Sequence, residues 1–283
     1  MSIIEVKGLT KDYGRGRGVF DVSFSVEKGQ VFGFLGPNGA GKTTTIKSIL
    51  SMIHYDQGEI LYFDAPHSHR THEWLGVVVD ATLYDEEWKV RDVERIVRPF
   101  YSQWDAQLFD QLLKSFNVDR AKRVKELSRG MNVKLMLAVA LSHGAKLLVL
   151  DEPTSGLDPV ARDEICDILS EYVSDGTRSV LFSTHITTDL EKIAHDVTFI
   201  LEGQIVFTGK KDDLLKTYAL VKGESSAIND SHKKLIHGIR RNQTEFEGIT
   251  LAEHIPQLPG DLTFAPPTLD DIVVCMNRRA TNG

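Results

Sequence analysis

Residues Gly36-Pro-Asn-Gly-Ala-Gly-Lys-Thr-Thr44 follow an apolar, strand-like run, Val31 to Leu35, and precede a helical pattern of Ile46, Ile49, Leu50 and Ile53. Strand, glycine turn and helix N-terminus, in that order, are the context a phosphate-binding loop requires. The glycines let the backbone take positive φ and bring its N–H groups close to phosphate oxygens. Lys42 can reach the terminal phosphates, and the Thr43 hydroxyl can ligate Mg²⁺. The helix that opens there adds the positive end of its dipole. Asn38, Gly39, Ala40, Gly41 and Thr44 complete the expected cradle. Such a loop by itself says only that a nucleoside triphosphate binds. Kinases, GTPases, helicases and transport ATPases all stay open.

Upstream, residues 2–7 and 19–26 alternate apolar and polar, as strands with one buried face do. Between them Tyr13 sits in a turn with Gly14, Gly16 and Gly18, placed 23 residues before Gly36. An aromatic there could stack on a nucleotide base, although a turn tyrosine alone is more often packing. Downstream, Gly58 to Phe63 and Leu75 to Val79 read as strands. From about Tyr84 the texture changes to helical periodicity over 92–103 and 105–116, with no strand pattern until Leu147. This marks a helical insert at about 84–145. Within it, Ser128 stands at the N-cap position of an apolar helix, Val133 to Leu141.

Leu147-Leu-Val-Leu-Asp-Glu152 is a buried-strand run ending in two carboxylates. Asp151 at such a strand end holds Mg²⁺ beside a phosphate-binding loop. Glu152 is the candidate that polarises the attacking water. Pro153 to Pro159 is a tight loop before an amphipathic helix at 160–173, and Val180 to Phe182 is a strand closing at Ser183-Thr184-His185. Residues 197–207 read as a hairpin around Glu202-Gly203-Gln204.

In this order the strings resemble the ATP-binding cassette of ABC transporters, over residues 1 to about 218. Gly36 to Thr44 is similar to the Walker A loop and Leu147 to Glu152 to the Walker B strand. Leu127-Ser-Arg-Gly-Met131 resembles the family signature Leu-Ser-Gly-Gly-Gln, Ser155-Gly-Leu-Asp158 the D-loop, and His185 the switch histidine. Tyr13 falls at the aromatic that stacks adenine. The resemblance implies an α/β fold: a RecA-like P-loop NTPase core with an antiparallel β subdomain and the helical insert. It further implies ATP and Mg²⁺ as ligands, His185 at the γ-phosphate, and Ser128 and Gly130 facing the phosphates of a partner's site. Two copies would then meet head to tail around two ATP molecules.

Three departures stand out. Arg129 and Met131 replace the usual Gly and Gln of the signature. Asp80 stands where the family has a Mg²⁺-contacting Gln; a carboxylate there either binds the metal more strongly or is held off it by the other acids. Residues 219–283 extend beyond the minimal cassette and read as a small α+β appendage that packs on its own core or on a dimer mate. Within it, Lys222 to Asn242 is polar with five Lys or Arg residues and reads as a solvated face or linker.

Composition narrows the function. Over 283 residues, 41% hydrophobic and 26% charged content is ordinary for a soluble globular protein. A net charge of −7 gives no electrostatic footprint for nucleic acid. The longest apolar run, Leu135 to Leu141, is far short of the ~18 residues of a membrane span. Neither a signal-peptide pattern nor metal or redox spacing of Cys166 and Cys275 is present, so a cytosolic chain is expected. The leading expectation is the ATP-hydrolysing subunit of a transporter, at the cytoplasmic face of the membrane through a separate transmembrane subunit. Trp88, beside Leu83 and Tyr84 and rimmed by Asp85, Glu86 and Glu87, is the expected docking patch for that subunit. The alternative is that Trp88 covers the insert's own core. The run from Ser128 through Ile165 is most similar to small bacterial exporters of antimicrobial or phenol-soluble-modulin-type amphipathic peptides. Drugs, lipids, acetoin-related or other small molecules are the alternative cargo. A soluble cassette acting on ribosome or DNA, or a regulatory module, is the weaker reading.

Overall fold

The structure, a computed structural model, describes residues 2–79 and 83–281. It divides into two compact units, Met1–Val206 and Phe207–Gly283. The sequence reading put the boundary at 218. It falls earlier because the helix Lys211–Thr217 packs with elements of the second unit, the strand Tyr218–Glu224 and the 3-10 helix Ala252–Gln257.

The first unit begins with β1 (Ser2–Asp12) and β2 (Gly18–Glu27), then β3 (Val31–Leu35) and α1 (Lys42–Ile49). Next come β4 (Gln57–Tyr62), β5 (Ala65–Pro66), α2 (His69–Trp74) and β6 (Leu75–Val78). The insert follows as α3 (Val90–Val97), α4 (Ala106–Ser115) and α5 (Arg129–Ser142). β7 (Leu147–Asp151), α6 (Pro159–Val173), β8 (Ser179–Thr184), α7 (Thr187–Ile193) and β9 (Asp196–Leu201) follow, and β10 (Gln204–Lys210) begins in this unit and runs past its end at Val206.

Parallel strands run in the order β9-β3-β8-β7-β6, with β10 added beside β9. Every residue of β3, β7 and β8 is buried, which is why these strands read as continuous apolar runs rather than alternating ones. A separate antiparallel sheet, β2-β1-β4-β5, packs against this layer. Phe24 of β2 joins the two sheets, stacking on Phe32 at 5.5 Å and tilting onto Phe34 at 5.2 Å. The antiparallel strands keep a wet face and therefore alternate.

Helical periodicity over 92–103 predicts one continuous helix, but α3 stops at Val97 and passes into a 3-10 turn, Arg98–Phe100. Pro99 is the cause: it has no N–H to donate back into α3, and it sits instead in the first turn of the 3-10 segment, where no donor is needed. Asp105 caps α4 by accepting from Leu108 N at 2.9 Å, and Phe109 and Leu113 bury the helix.

The second unit holds α8 (Lys211–Thr217), β11 (Tyr218–Glu224), α9 (Asp230–Leu235), β12 (Ile236–Arg241), β13 (Glu245–Leu251), β14 (Thr263–Ala265) and α10 (Leu269–Thr281). Its antiparallel sheet has the order β12-β13-β11-β14. Of the two readings of 222–242, the linker fails and the solvated face of a folded α+β unit stands: the stretch contributes α9, all of β12 and the last residues of β11. Ile228 and Ile236 from it join Val221, Phe246, Leu258 and Leu262 in a core of their own. α10 packs against β12 and β13, where a Cβ at Gly238 would collide with the Cys275 backbone. Cys166 and Cys275 are free, buried thiols whose pKa values desolvation pushes up to about 12 and about 11, which disfavours the thiolate at both. Among the described residues no helix is long and apolar enough to cross a membrane.

Candidate functional site

The loop between β3 and α1 is shaped by close approach. Gly39 and Gly41 have φ of 83° and 109°, conformations that side chains rarely take. A Cβ on Gly41 would also lie 2.5 Å from Val19 Cγ1. Ala40 is buried, and its carbonyl accepts from Gly203 N at 3.0 Å, while Gly203 O accepts from Phe20 N at 2.8 Å. The β9–β10 turn thus fastens the loop to β2. No side chain caps the start of α1 and no acid lies in its first turn, so its backbone N–H groups and dipole are left to an anionic ligand.

Around this loop opens a cavity of about 1050 Å³. Of the residues expected from sequence, Tyr13, Asn38, Gly39, Gly41, Lys42, Thr43, Thr44, Glu152 and His185 line it. Tyr13 is 52% exposed, with Lys11 Nζ 5.7 Å from its ring centroid. Ser155, the first residue of the D-loop-like string, lines it as well, and so do Arg17, Phe20, Glu202 and Gln204, which sequence reasoning does not place there. The cues to these four are the Gly-rich turn and the Glu202-Gly203-Gln204 hairpin; neither predicts that β9 pairs with β3 and carries the hairpin here, or that Phe20 N then donates to Gly203 O.

Lys42 is buried, and its ammonium donates to Gly36 O at 2.7 Å and Pro37 O at 3.2 Å. It also lies 3.1 Å from Glu152 Oε1, an ion pair whose angle does not make a hydrogen bond. Glu152 Oε2 meets His185 Nδ1 at 2.7 Å. The Glu152 backbone has φ of 53°, an uncommon conformation for a glutamate and of the kind that marks functional positions. Asp151 is buried at the end of β7, and its Oδ1 accepts from Ser183 Oγ at 2.7 Å.

Asp80 lies outside the described residues. Ser128, Gly130 and Asp158 do not line the cavity. Ser128 caps α5 by accepting from Met131 N at 3.2 Å. Asp158 caps α6, accepting from Val160 N and Ala161 N at 3.0 Å each. The two helix starts are neighbours: a Cβ on Gly130 would lie 3.6 Å from Leu157 Cδ2. Arg129, at the altered signature position, extends over Gly156, whose added Cβ would sit 3.6 Å from its Nη1.

At the insert's surface Leu83 and Phe100 are 47% and 76% exposed, while Trp88 is only half-buried and the Tyr84 hydroxyl is desolvated, which raises its pKa. The acidic rim expected around Trp88 is partly neutralised. Glu87 pairs with Lys125 at 2.5 Å and Arg123 at 2.7 Å, which hold its carboxyl below the usual range.

A parallel sheet with a glycine loop leading from β3 into α1 and an acidic end on β7 defines a P-loop NTPase. The model of the ABC transporter family matches residues 19–155. The lantibiotic transport ATP-binding protein SrtF of Streptococcus pyogenes is 30% identical over 212 residues, covering 74% of this chain and 92% of that protein. The Nod factor export ATP-binding protein I of Ralstonia nicotianae is 34% identical over 221 residues, 75% of this chain and 68% of that one. Among solved structures, an ATP-binding subunit of an ABC transporter superposes with a TM-score of 0.68 at 26% identity, over 75% of this chain and 92% of that chain. The chain belongs to the ABC transporter family, as an ATP-binding, ATP-hydrolysing cassette.

Proposed function

We propose that this cassette powers a bacterial-type exporter of amphipathic or antimicrobial peptides, working in pairs beneath a separate transmembrane subunit at the cytoplasmic face. The observation that carries the peptide reading is the lantibiotic transport relative, whose length this chain nearly spans. The Nod factor export relative keeps a non-peptide cargo as the second reading. Nothing in the cavity or the net charge of −7 favours nucleic acid as a partner.

In this reading adenine stacks on Tyr13, and the phosphates sit on the backbone of Gly39, Ala40, Gly41, Lys42, Thr43 and Thr44, with Asn38 at the entrance. The Thr43 hydroxyl and the Asp151 carboxylate would hold Mg²⁺, which supplies charge neutralisation on the phosphates. The donor set fits, because Mg²⁺ takes hard oxygen ligands and is usually bound by one or two carboxylates together with substrate phosphates. No group of three His, Cys, Asp or Glu among the described residues forms a dedicated cage. Glu152 accepts a proton from the attacking water, and His185 orients Glu152 and contacts the γ-phosphate. Phosphoryl transfer needs positioning and electrostatics more than covalent chemistry, and these side chains supply both. Ser128, Gly130 and Asp158, which lie away from the chain's own cavity, complete the site of a second copy in a two-fold pair.

The exposed Leu83 and Phe100, more than the half-buried Trp88, offer apolar anchors for a helix of the membrane subunit. Affinity purification of the full chain from solubilised native membranes is expected to bring down a polytopic membrane protein. Cysteines at 83–90 should crosslink to that partner's cytoplasmic loops, with a yield that differs between ATP and ADP. Stimulation of the complex's ATPase by lantibiotic-type peptides supports the peptide cargo; stimulation by small apolar drugs alone transfers support to the second reading. Recovery of the chain without any membrane protein contradicts the transporter role.

A further inference from the structure

Asp189 is a buried carboxylate between α6 and α7 that the chemistry above does not use. Three donors from two elements satisfy it. Its Oδ2 accepts from Thr154 Oγ1 at 2.6 Å. Its Oδ1 accepts from Arg162 Nε at 3.2 Å and Nη2 at 2.6 Å, and the same Nη2 donates to Thr188 Oγ1 at 2.9 Å. The Asp189 side chain is 6% exposed and Arg162 24%, while Thr154 is fully buried. A carboxylate taken out of water is costly unless it is paired and hydrogen-bonded, so these contacts hold a defined geometry where apolar packing would tolerate several.

What the junction connects gives it meaning. Thr154 lies two residues beyond Glu152 and directly before Ser155, which lines the cavity. Asp189 lies four residues beyond His185, in the first turn of α7. The ring closes at the other end, where Glu152 Oε2 and His185 Nδ1 meet at 2.7 Å and Glu152 N donates to Ser183 O at 2.9 Å. Lys192, bonded to Asp163 and Asp167, also straps α6 to α7, but this pairing is solvent-exposed and screened, and it does not reach the 153–158 loop.

We propose that Asp189 is a positioning residue for hydrolysis. Through Thr154 and Arg162 it fixes the separation of Glu152 and His185, and it transmits displacement of the 153–158 loop to the segment carrying His185. This rests on the reading of Glu152 and His185 as the hydrolytic pair. Small misplacements at a reacting centre are disproportionately expensive, since a shift of about 1 Å can cost about 10²-fold in rate.

The test uses the full chain. Asp189→Asn keeps an acceptor for Thr154 but withdraws the charge that faces Arg162, and kcat is expected to fall ~10–100-fold with KM for ATP nearly unchanged. Arg162→Lys keeps the charge and loses the two-pronged fork, so an intermediate fall is expected and a folded variant is secured. Tyr172→Phe removes a buried bond to Ala145 O elsewhere in the unit; it should lower Tm without changing kcat. Amide hydrogen exchange supplies a readout independent of turnover. Mg-ATP should protect residues 153–158 and 185–190 together in the wild type, and separately in Asp189→Asn. Unchanged kcat in both variants, or loss of kcat only in proportion to Tm, overturns the proposal. So does a joint exchange response that survives Asp189→Asn. A wild-type chain that turns over no ATP overturns the hydrolytic pair itself, while the exchange comparison still decides whether the junction couples the two segments.

Discussion

Lys42→Ala is expected to abolish ATP binding at micromolar nucleotide. The ammonium is held beside the loop by two carbonyls and the Glu152 carboxylate, and in the proposed reading it faces the incoming terminal phosphates. On binding it exchanges those contacts for charge-assisted bonds to phosphate, worth about 1.5–3 kcal/mol each. Losing two of them raises Kd by roughly 10²–10⁴-fold. The fold should survive, because no apolar core residue is touched. Calorimetric titration of the folded variant checks this, and an unchanged Kd rejects the assignment of the Gly36–Thr44 loop.

Glu152→Gln separates binding from chemistry. The amide preserves size and can still meet His185, but it cannot take a proton from water. Loss of a positioned general base costs ~10²–10⁴ in kcat, or about 3–5 kcal/mol of barrier. The substitution also cancels the ion pair to Lys42, so ATP affinity should be equal or tighter. Mg-ATP that is bound but not hydrolysed should hold two copies together. Sedimentation of the variant with Mg-ATP is then expected to show a dimer that ADP dissolves. Equal losses of affinity and turnover contradict the role of Glu152, and a monomer at saturating ATP contradicts the proposed pair.

The parts of this molecule that were legible in sequence are those whose chemistry is local. Gly36 to Thr44 carries its own turn, its helix start and its lysine. Leu147 to Glu152 announces a buried strand by its apolar run and a site by its two acids. Pairings between distant segments left no such trace. Glu202 and Gln204 reach the cavity only because β9 lies beside β3, and Thr154 finds Asp189 only once α6 and α7 are packed. The second unit was the hardest to read. Its strands between Lys222 and Asn242 are short, carry a glycine each, with the register shifting around Gly238, and carry charges on the wet face, so a folded sheet looks polar throughout. The stop at Pro99 is local too, but the apolar periodicity over 92–103 runs straight through it, and α3 ends at Val97.

The central claim is that ATP occupies the cavity between Tyr13 and the Gly36–Thr44 loop. Photolabelling the full chain with 8-azido-ATP, followed by proteolysis and peptide mass spectrometry, tests it without requiring turnover. The expected adduct lies on the peptide containing Tyr13 or on the adjoining Glu202–Gln204 turn, and unlabelled ATP should suppress it. An adduct confined to residues 207–283, or labelling that excess ATP does not suppress, would contradict the site.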